Sequence, residues 1–245
     1  MKTSKVSIAV VVKYTCIFGL SVTLALVSCG VIDDLTSFPI CPTDLSYESD
    51  TIHIPDTTGT LPSVPCAAST GAVTCQSSAV SRSCTSPFSC EAQCNAESGQ
   101  CELEATYRDI QEIDLRDQVS SKLEKFVLDR VSVTSLQYSI RENSLNIDIP
   151  RIDIYVGPAT MRTEEDEGAV KLFTIPRVPA GESIESVSVD SFPEGKTAFE
   201  VFARDYETPF SMLVTIQYMT EAGETMPKGS AKIAVQPCLL FKLFD

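Results

Sequence analysis

From Val131 onward apolar side chains recur at every second residue, the period of a strand with one buried face. Val131 and Val133 begin the pattern, and Leu136, Tyr138 and Ile140 resume it after a slip of one residue. Past the polar run Arg141-Glu142-Asn143-Ser144 come Leu145, Ile147 and Ile149, then, after a second slip, Ile152, Ile154 and Val156. Reading 141–144 as a turn sets Ile140 opposite Leu145 and brings both slips to one level, beside Thr134-Ser135 and Pro150-Arg151. A slip in one strand alone would mark a bulge. Matched slips predict a long hairpin over 131–156 that bends and buries opposite faces at its two ends, as strands do at the corner of a sandwich or partly closed barrel.

Further strands are predicted at 170–175, 183–190, 210–219 and 230–236, with turns at Val178-Pro-Ala-Gly181 and Ala222-Gly-Glu224. The strand at 210–219 sets Phe210, Met212, Val214, Ile216 and Tyr218 on one face. Its other face mixes Ser211, Thr215 and Gln217 with Leu213 and Met219, which predicts partial cover there. Two stretches carry a helical period instead. Val119, Leu123, Phe126 and Val127 share one face of a helix over about 114–129, with Asp114 or Asp117 at its positive end and Arg130 closing it. Thr197-Ala-Phe-Glu200 has the form of a capping box, and Phe199, Phe202, Ala203 and Tyr206 then share a face of a short helix at 198–206. An edge strand with Phe199, Val201 and Ala203 on one side is the other reading of that stretch. The apolar end, Cys238-Leu-Leu-Phe-Lys-Leu-Phe244, is expected to lie on the sandwich as an edge strand.

Upstream the composition changes. Between Cys41 and Cys101 the chain is rich in Ser, Thr, Pro and Cys and poor in large apolar side chains. Such a stretch buries too little apolar area to offset its chain entropy, and crosslinks worth about 2–4 kcal/mol each are the remedy. The cysteines beyond Cys29 are Cys41, Cys66, Cys75, Cys84, Cys90, Cys94, Cys101 and Cys238. An even number in an exported chain implies disulfides, with a connectivity that sequence does not resolve. Zinc is disfavoured, because from Cys84 the spacing is C-x5-C-x3-C-x6-C, in which the one short pair, Cys90 and Cys94, has no second such pair, and the only histidine, His53, lies far upstream of the cluster at Cys84–Cys101. Seven of the eight lie in 41–101, so at least one must pair elsewhere. A bridge from Cys238 into that region, or between molecules, follows from parity. The fold expected is therefore mainly β: a small β-sandwich with one or two helices over 105–245, preceded by a disulfide-held, loop-rich module at 41–104.

The N-terminal stretch sets the address. Lys2, Lys5 and Lys13 precede an apolar run from Tyr14 to Val27, which is short for a spanning helix of about 20 apolar residues. Extending the run back to Ile8 would bury Lys13, at a cost of roughly 2.5–3.5 kcal/mol at mid-membrane. Leu26-Val27-Ser28-Cys29, followed by Gly30, resembles the lipobox of bacterial lipoproteins, with Leu26 at −3, small Ser28 at −1 and Cys29 at +1. The resemblance covers residues 1–30 only. It implies a signal peptide at 1–28, discarded with Cys16, acylation (palmitate among the chains) of Cys29, and a tether at 29–40. Gly30, where an Asp would signal inner-membrane retention, implies the outer membrane of a cell envelope. The membrane, through that lipid, and an envelope protein are the partners expected. An uncleaved anchor or ordinary signal cleavage nearby is the competing reading.

Charge narrows the partners further. Residues 1–28 hold three Lys and no acid, so the remainder carries 16 basic against 33 acidic side chains, a net of −17. That surface repels nucleic acid and anionic headgroups. Catalytic motifs are sparse. There is no G-x-S-x-G elbow, and His53, in Thr-Ile-His-Ile-Pro-Asp56, is the only histidine available as a base. Glu164-Glu165-Asp166-Glu167 could offer oxygen ligands to Ca²⁺ but lacks the spacing that arranges them, which favours a solvated loop. No cofactor or metal is expected. Trp is absent, so no sugar-stacking platform stands out.

One looser likeness concerns the order from Val131 to Gly181: strand, Asn at a turn, a strand ending Ile-Asp-Ile-Tyr-Val-Gly, then Ile-Pro and Pro-Ala-Gly-Glu. It is similar to the immunoglobulin-like sandwiches of late-embryogenesis-abundant type 2 proteins and implies a sandwich without an activity. The function expected is non-catalytic binding or scaffolding by a lipid-anchored envelope protein. The alternatives are an envelope hydrolase using two acidic residues in a cleft, and a carrier of an apolar ligand lodged beside 210–219.

Overall fold

In the computed structural model, residues 37–40, 47–49, 52–54, 59–69, 72–75, 88–116 and 127–244 are described. The expected signal peptide, Cys29, Cys41, Cys84 and positions 117–126 of the first expected helix lie outside them. Two antiparallel sheets face one another. The first contains β1 (Ser37–Ile40), β2 (Tyr47–Glu48), β3 (Ile52–Ile54), β8 (Val127–Arg141), β11 (Ile184–Val189) and β13 (Gly229–Phe244). Its order is β1-β13-β8-β11, with β2 and β3 also pairing β13. The second contains β6 (Phe88–Cys94), β7 (Cys101–Ile113), β9 (Ile152–Pro158), β10 (Val170–Ile175) and β12 (Phe210–Thr220), in the order β10-β9-β12-β7-β6. A separate hairpin joins β4 (Ala67–Ser69) and β5 (Ala72–Thr74), and one helix, α1 (Pro193–Arg204), packs on β8, β9 and β10.

The mainly β sandwich is as expected, but the hairpin over 131–156 does not form. β8 pairs with β13 along its whole length and with β11, whereas β9 pairs with β10 and β12 in the opposite sheet. The two slips have separate causes. In β8, Ser135 opposes Cys238 and Val133 opposes Leu239, so Thr134 is an extra residue in a bulge. The bulge re-phases the strand, and Val131 and Val133 bury on the same side as Leu136, Tyr138 and Ile140. The second slip belongs to the connection between sheets. There Leu145 and Ile149 are buried, Ile149 and Val178 exchange both backbone hydrogen bonds at 2.9 Å, and Asn146 clasps Met226 and Lys228.

Three further expectations are corrected. The boundary at 104 falls inside β7, and described parts of 41–104 supply β2, β3 and β6 to the two sheets. All described residues belong to one unit, Thr36–Asp245. The cysteine-rich stretch borrows its core from the sandwich: Leu61 and Leu103 pack with Met226. The end of the chain is no edge strand, since β13 runs between β1 and β8 with Leu239 and Phe241 fully buried. Val127 already belongs to β8, so the first expected helix cannot reach 129.

The second helix exists but starts at Pro193, five residues early, with Phe192 as an N-cap that makes no side-chain bond. Proline suits that first turn, where its missing N–H costs nothing. Thr197 therefore sits mid-helix, its hydroxyl donating to the Pro193 carbonyl at 2.9 Å, and Glu200 points away to β8. Phe199 and Ala203 bury as expected, and Phe210 of β12 meets Phe199 edge-on and stacks with Phe202.

Candidate functional site

The alternation of β12 decides which of its side chains lie on the outer side of the second sheet, where only Gln217 and Met219 of this strand are exposed. Phe210, Met212, Val214, Ile216 and Tyr218 point into the core, and Ser211, Leu213, Thr215, Gln217 and Met219 point outward. Cross-strand register brings Asp153 of β9 and Arg108 of β7 beside Thr215, and Tyr155 and Ile110 beside Leu213. Lys171 and Thr174 extend the face onto β10. The loop 159–169 folds over one end of it, because Glu164 receives the Arg108 guanidinium through Nε and Nη2, both at 2.8 Å. That bidentate bond holds the Glu164 carboxyl below its ordinary range. Asp166 closes the loop by accepting from the amides of Arg162 and Thr163 and from the Thr163 hydroxyl. The acidic run is thus only partly the solvated loop expected; Glu165 and Glu167 are exposed, and Glu164 and Asp166 are engaged.

Further along the same face, Asp153 accepts from Lys171 at 2.9 Å and Thr174 at 2.7 Å, with Arg151 at 3.3 Å. A cleft of about 180 Å³ opens beside it, lined by Pro150, Arg151, Asp153, Thr215 and Gln217. Pro150 is shared with a wider cleft of about 610 Å³ at the end of the sandwich. Arg177, Asp148, Tyr218, Met219 and Thr225 line that second space. Asp148 pairs with Arg177 and accepts from the Ala180 amide at 2.9 Å; the amide first, then the guanidinium, lowers its pKa. Met219 is 49% exposed at the rim. Two hydroxyls lining these clefts, Thr215 Oγ1 and Tyr218 Oη, are buried without a hydrogen-bond partner. Burial pushes the Tyr218 phenol up, so it stays a neutral donor.

The residues singled out from sequence fall elsewhere. Cys66 is bonded to Cys94 and Cys75 to Cys101, and Cys90 and Cys238 are also disulfide-bonded. His53 stands in β3 opposite Ser230 of β13. Arg108, Asp153, Thr215 and Tyr218 were not singled out. For Thr215 the one signal was the mixed outer face of 210–219, read as partly covered; Tyr218 was placed on the apolar face, and nothing pointed to Arg108 or Asp153. Among the described residues no helix is long and apolar enough to cross a membrane.

No protein-family profile matches this chain, and no curated protein matches it. Among solved structures it is similar to one described as a carbohydrate-binding module of the β-sandwich superfamily with promiscuous specificity. The match has 14% identity and a TM-score of 0.25 over 64% of this chain, and it spans about half, 54%, of the other.

Proposed function

We propose that this is a lipid-anchored envelope protein whose sandwich binds a polar partner at two adjoining clefts, one on the outer face of its second sheet and one at the end of the sandwich, and does not transform it. The observation that carries the reading is the pair of unpartnered buried hydroxyls, Thr215 and Tyr218, at two adjoining clefts. A buried hydroxyl without a partner costs about 1–3 kcal/mol, and a bound ligand's polar groups would offset that cost. The flanking Arg151 and Arg177 supply directional donors beside them.

The chemistry of the described residues supports binding over catalysis. Every described cysteine is in a disulfide, which leaves no thiolate nucleophile among them. Asp114, Asp148, Glu164 and Asp166 are all shifted toward lower pKa, which suits ion pairs and turns rather than a general acid. Carriage of an apolar ligand is disfavoured as well, because the core-facing side chains of β12 are already buried against both sheets.

A photo-cross-linking residue at Gln217, exposed between the two clefts, tests the site in intact cells. Capture of one recurrent partner from 217, and not from Val187 on the opposite sheet, is the expected result. Equal background from both positions overturns the site. Anchoring is tested separately by labelling with a palmitate analogue, which Cys29→Ala should abolish; unchanged labelling removes the lipid from the proposal.

A further inference from the structure

The cysteine-rich end holds a second feature, independent of the face just described. β4 and β5 form a hairpin flanked by Cys66 and Cys75, and β6 and β7 form another closed by Cys94 directly opposite Cys101. The disulfides run between the hairpins, Cys66 to Cys94 and Cys75 to Cys101, rather than within them. The two bridges therefore lie side by side. The sulphurs of Cys66, Cys75 and Cys101 lie within 4.8 Å of one another, and Cys94 is bonded to the first.

Backbone bonds also join the segments that carry these sulphurs. The Cys66 amide donates to the Gly99 carbonyl at 2.9 Å, and the Cys101 amide to that of Val64 at 2.8 Å. Pro65 bridges Gln100, and the Ser63 hydroxyl reaches the Gln100 side chain at 2.8 Å. The turn between Cys94 and Cys101 is closed by Asn95 to Gln100 and Gly99 to Asn95. None of these bonds involves a sulphur. Around a tetrahedral ion with sulphur bonds of about 2.3 Å, the sulphurs stand roughly 3.8 Å apart, which is within the 4.8 Å that Cys66, Cys75 and Cys101 already span; Cys94, adjacent to Cys101 across the hairpin, is the fourth. The sequence spacing is too long for a zinc knuckle, but the two hairpins supply the closeness that a knuckle would.

We propose that, when reduced, Cys66, Cys75, Cys94 and Cys101 form a tetrathiolate site for a soft divalent ion of the zinc and cadmium class. Each disulfide takes two electrons and two protons, either from an external dithiol that closes to its own disulfide, or from a phosphine and one water, the phosphine leaving as its oxide and the water supplying both protons. The four thiols then release their protons to solvent as the ion binds. The same four positions thus tie the hairpins together covalently in an oxidising compartment and through a metal in a reducing one.

The full chain, reduced with a phosphine without oxygen, is titrated with Co²⁺. Expected is one ion per chain, with the thiolate-to-cobalt charge-transfer band and the visible bands of tetrahedral cobalt, bleached by Zn²⁺. Cys66→Ser and Cys101→Ser should each lose that signature, and Cys238→Ser should keep it. No tetrahedral band, or one that survives Cys66→Ser, overturns the proposal. Circular dichroism of the reduced chain guards against a trivial failure. If β-structure is lost on reduction and Co²⁺ does not restore it together with the bands, the site does not exist.

Discussion

The amide of Val133 donates to Oε1 of Glu200 at 2.9 Å, tying α1 to the bulge in β8. β11 pairs with β8 only from Leu136 to Ile140, so beyond the bulge that edge of the strand has no neighbouring strand. The carboxylate takes the place of a strand carbonyl there. Hydrogen bonds to charged groups contribute about 1.5–3 kcal/mol, so Glu200→Ala should lower stability by that order. Glu200→Gln keeps an acceptor and should lose less. Lys196 lies 4.0 Å from the same oxygen, and Lys196→Ala should change little, as befits an i,i+4 pair. Denaturant midpoints of the three variants check the ranking. Equal losses for Ala and Gln would show that the Val133 bond contributes nothing.

Gly195 lies against β10 so closely that an added Cβ would fall 2.2 Å from the Lys171 carbonyl oxygen and 2.6 Å from Leu172 Cα. Alanine in an open helix interior gains about 1 kcal/mol over glycine. Here the sign reverses, because neither neighbour is a flexible side chain and overpacking costs about 1–3 kcal/mol. Gly195→Ala should lower the thermal midpoint, where a rise would show that α1 can shift away from β10.

Past residue 169 the strands β10, β11 and β12 were legible because apolar positions recur there at about every second residue, most cleanly along the core face of β12. β10 coincides with the expected range, and β11 and β12 differ at their ends by a residue or two. The pairing of β8 was not legible. A bulge and a change of sheet both appear as a slip of one, and only the partner strand tells them apart. β7 was missed although Leu103, Ala105 and Tyr107 alternate with Glu102, Glu104 and Thr106, because a composition boundary was drawn through it. The candidate face was hardly visible at all. Thr215, Asp153 and Arg108 are far apart in sequence and meet only through cross-strand register.

Stability should fall in acid. The Glu164 carboxyl is held below its ordinary value first by the Arg108 bond, Asp148 by the Ala180 amide and Arg177, Asp166 by the amides of its own loop, and Asp114 at about 2 by Arg116. A group whose folded pKa is depressed stabilises the fold above its unfolded value, about 4 for these carboxyls. That contribution is lost as pH falls through the folded value. The expected result is a flat unfolding midpoint above about pH 5 and a decline below about pH 4. Glu164→Gln should flatten part of the decline at a cost of about 1 kcal/mol at neutral pH, since the pair is partly exposed. An unchanged acid slope in Glu164→Gln would mean that Arg108 pairs equally well with the neutral side chain.

The unpartnered hydroxyls set stability against binding, and that opposition can be measured before any ligand is known. Thr215→Val keeps the shape of the side chain and removes an oxygen buried without a hydrogen bond. Relieving such a group should raise stability by about 1 kcal/mol. Tyr218→Phe should do the same while keeping the ring against Phe88, 6.4 Å away between centroids. Gln111 Oε1 is a third unpartnered buried atom, on the core side of β7 opposite Met212 and outside both clefts. It serves as the control: Gln111→Met should stabilise without touching the binding face. If the face is a binding site, Thr215→Val and Tyr218→Phe should stabilise the free protein and weaken capture of a partner from position 217. Gln111→Met should stabilise and leave capture intact. Thermal midpoints and cross-linking yields from the same preparations separate these cases. Loss of stability in Thr215→Val would show that its hydroxyl is satisfied and would remove the observation on which the binding face rests.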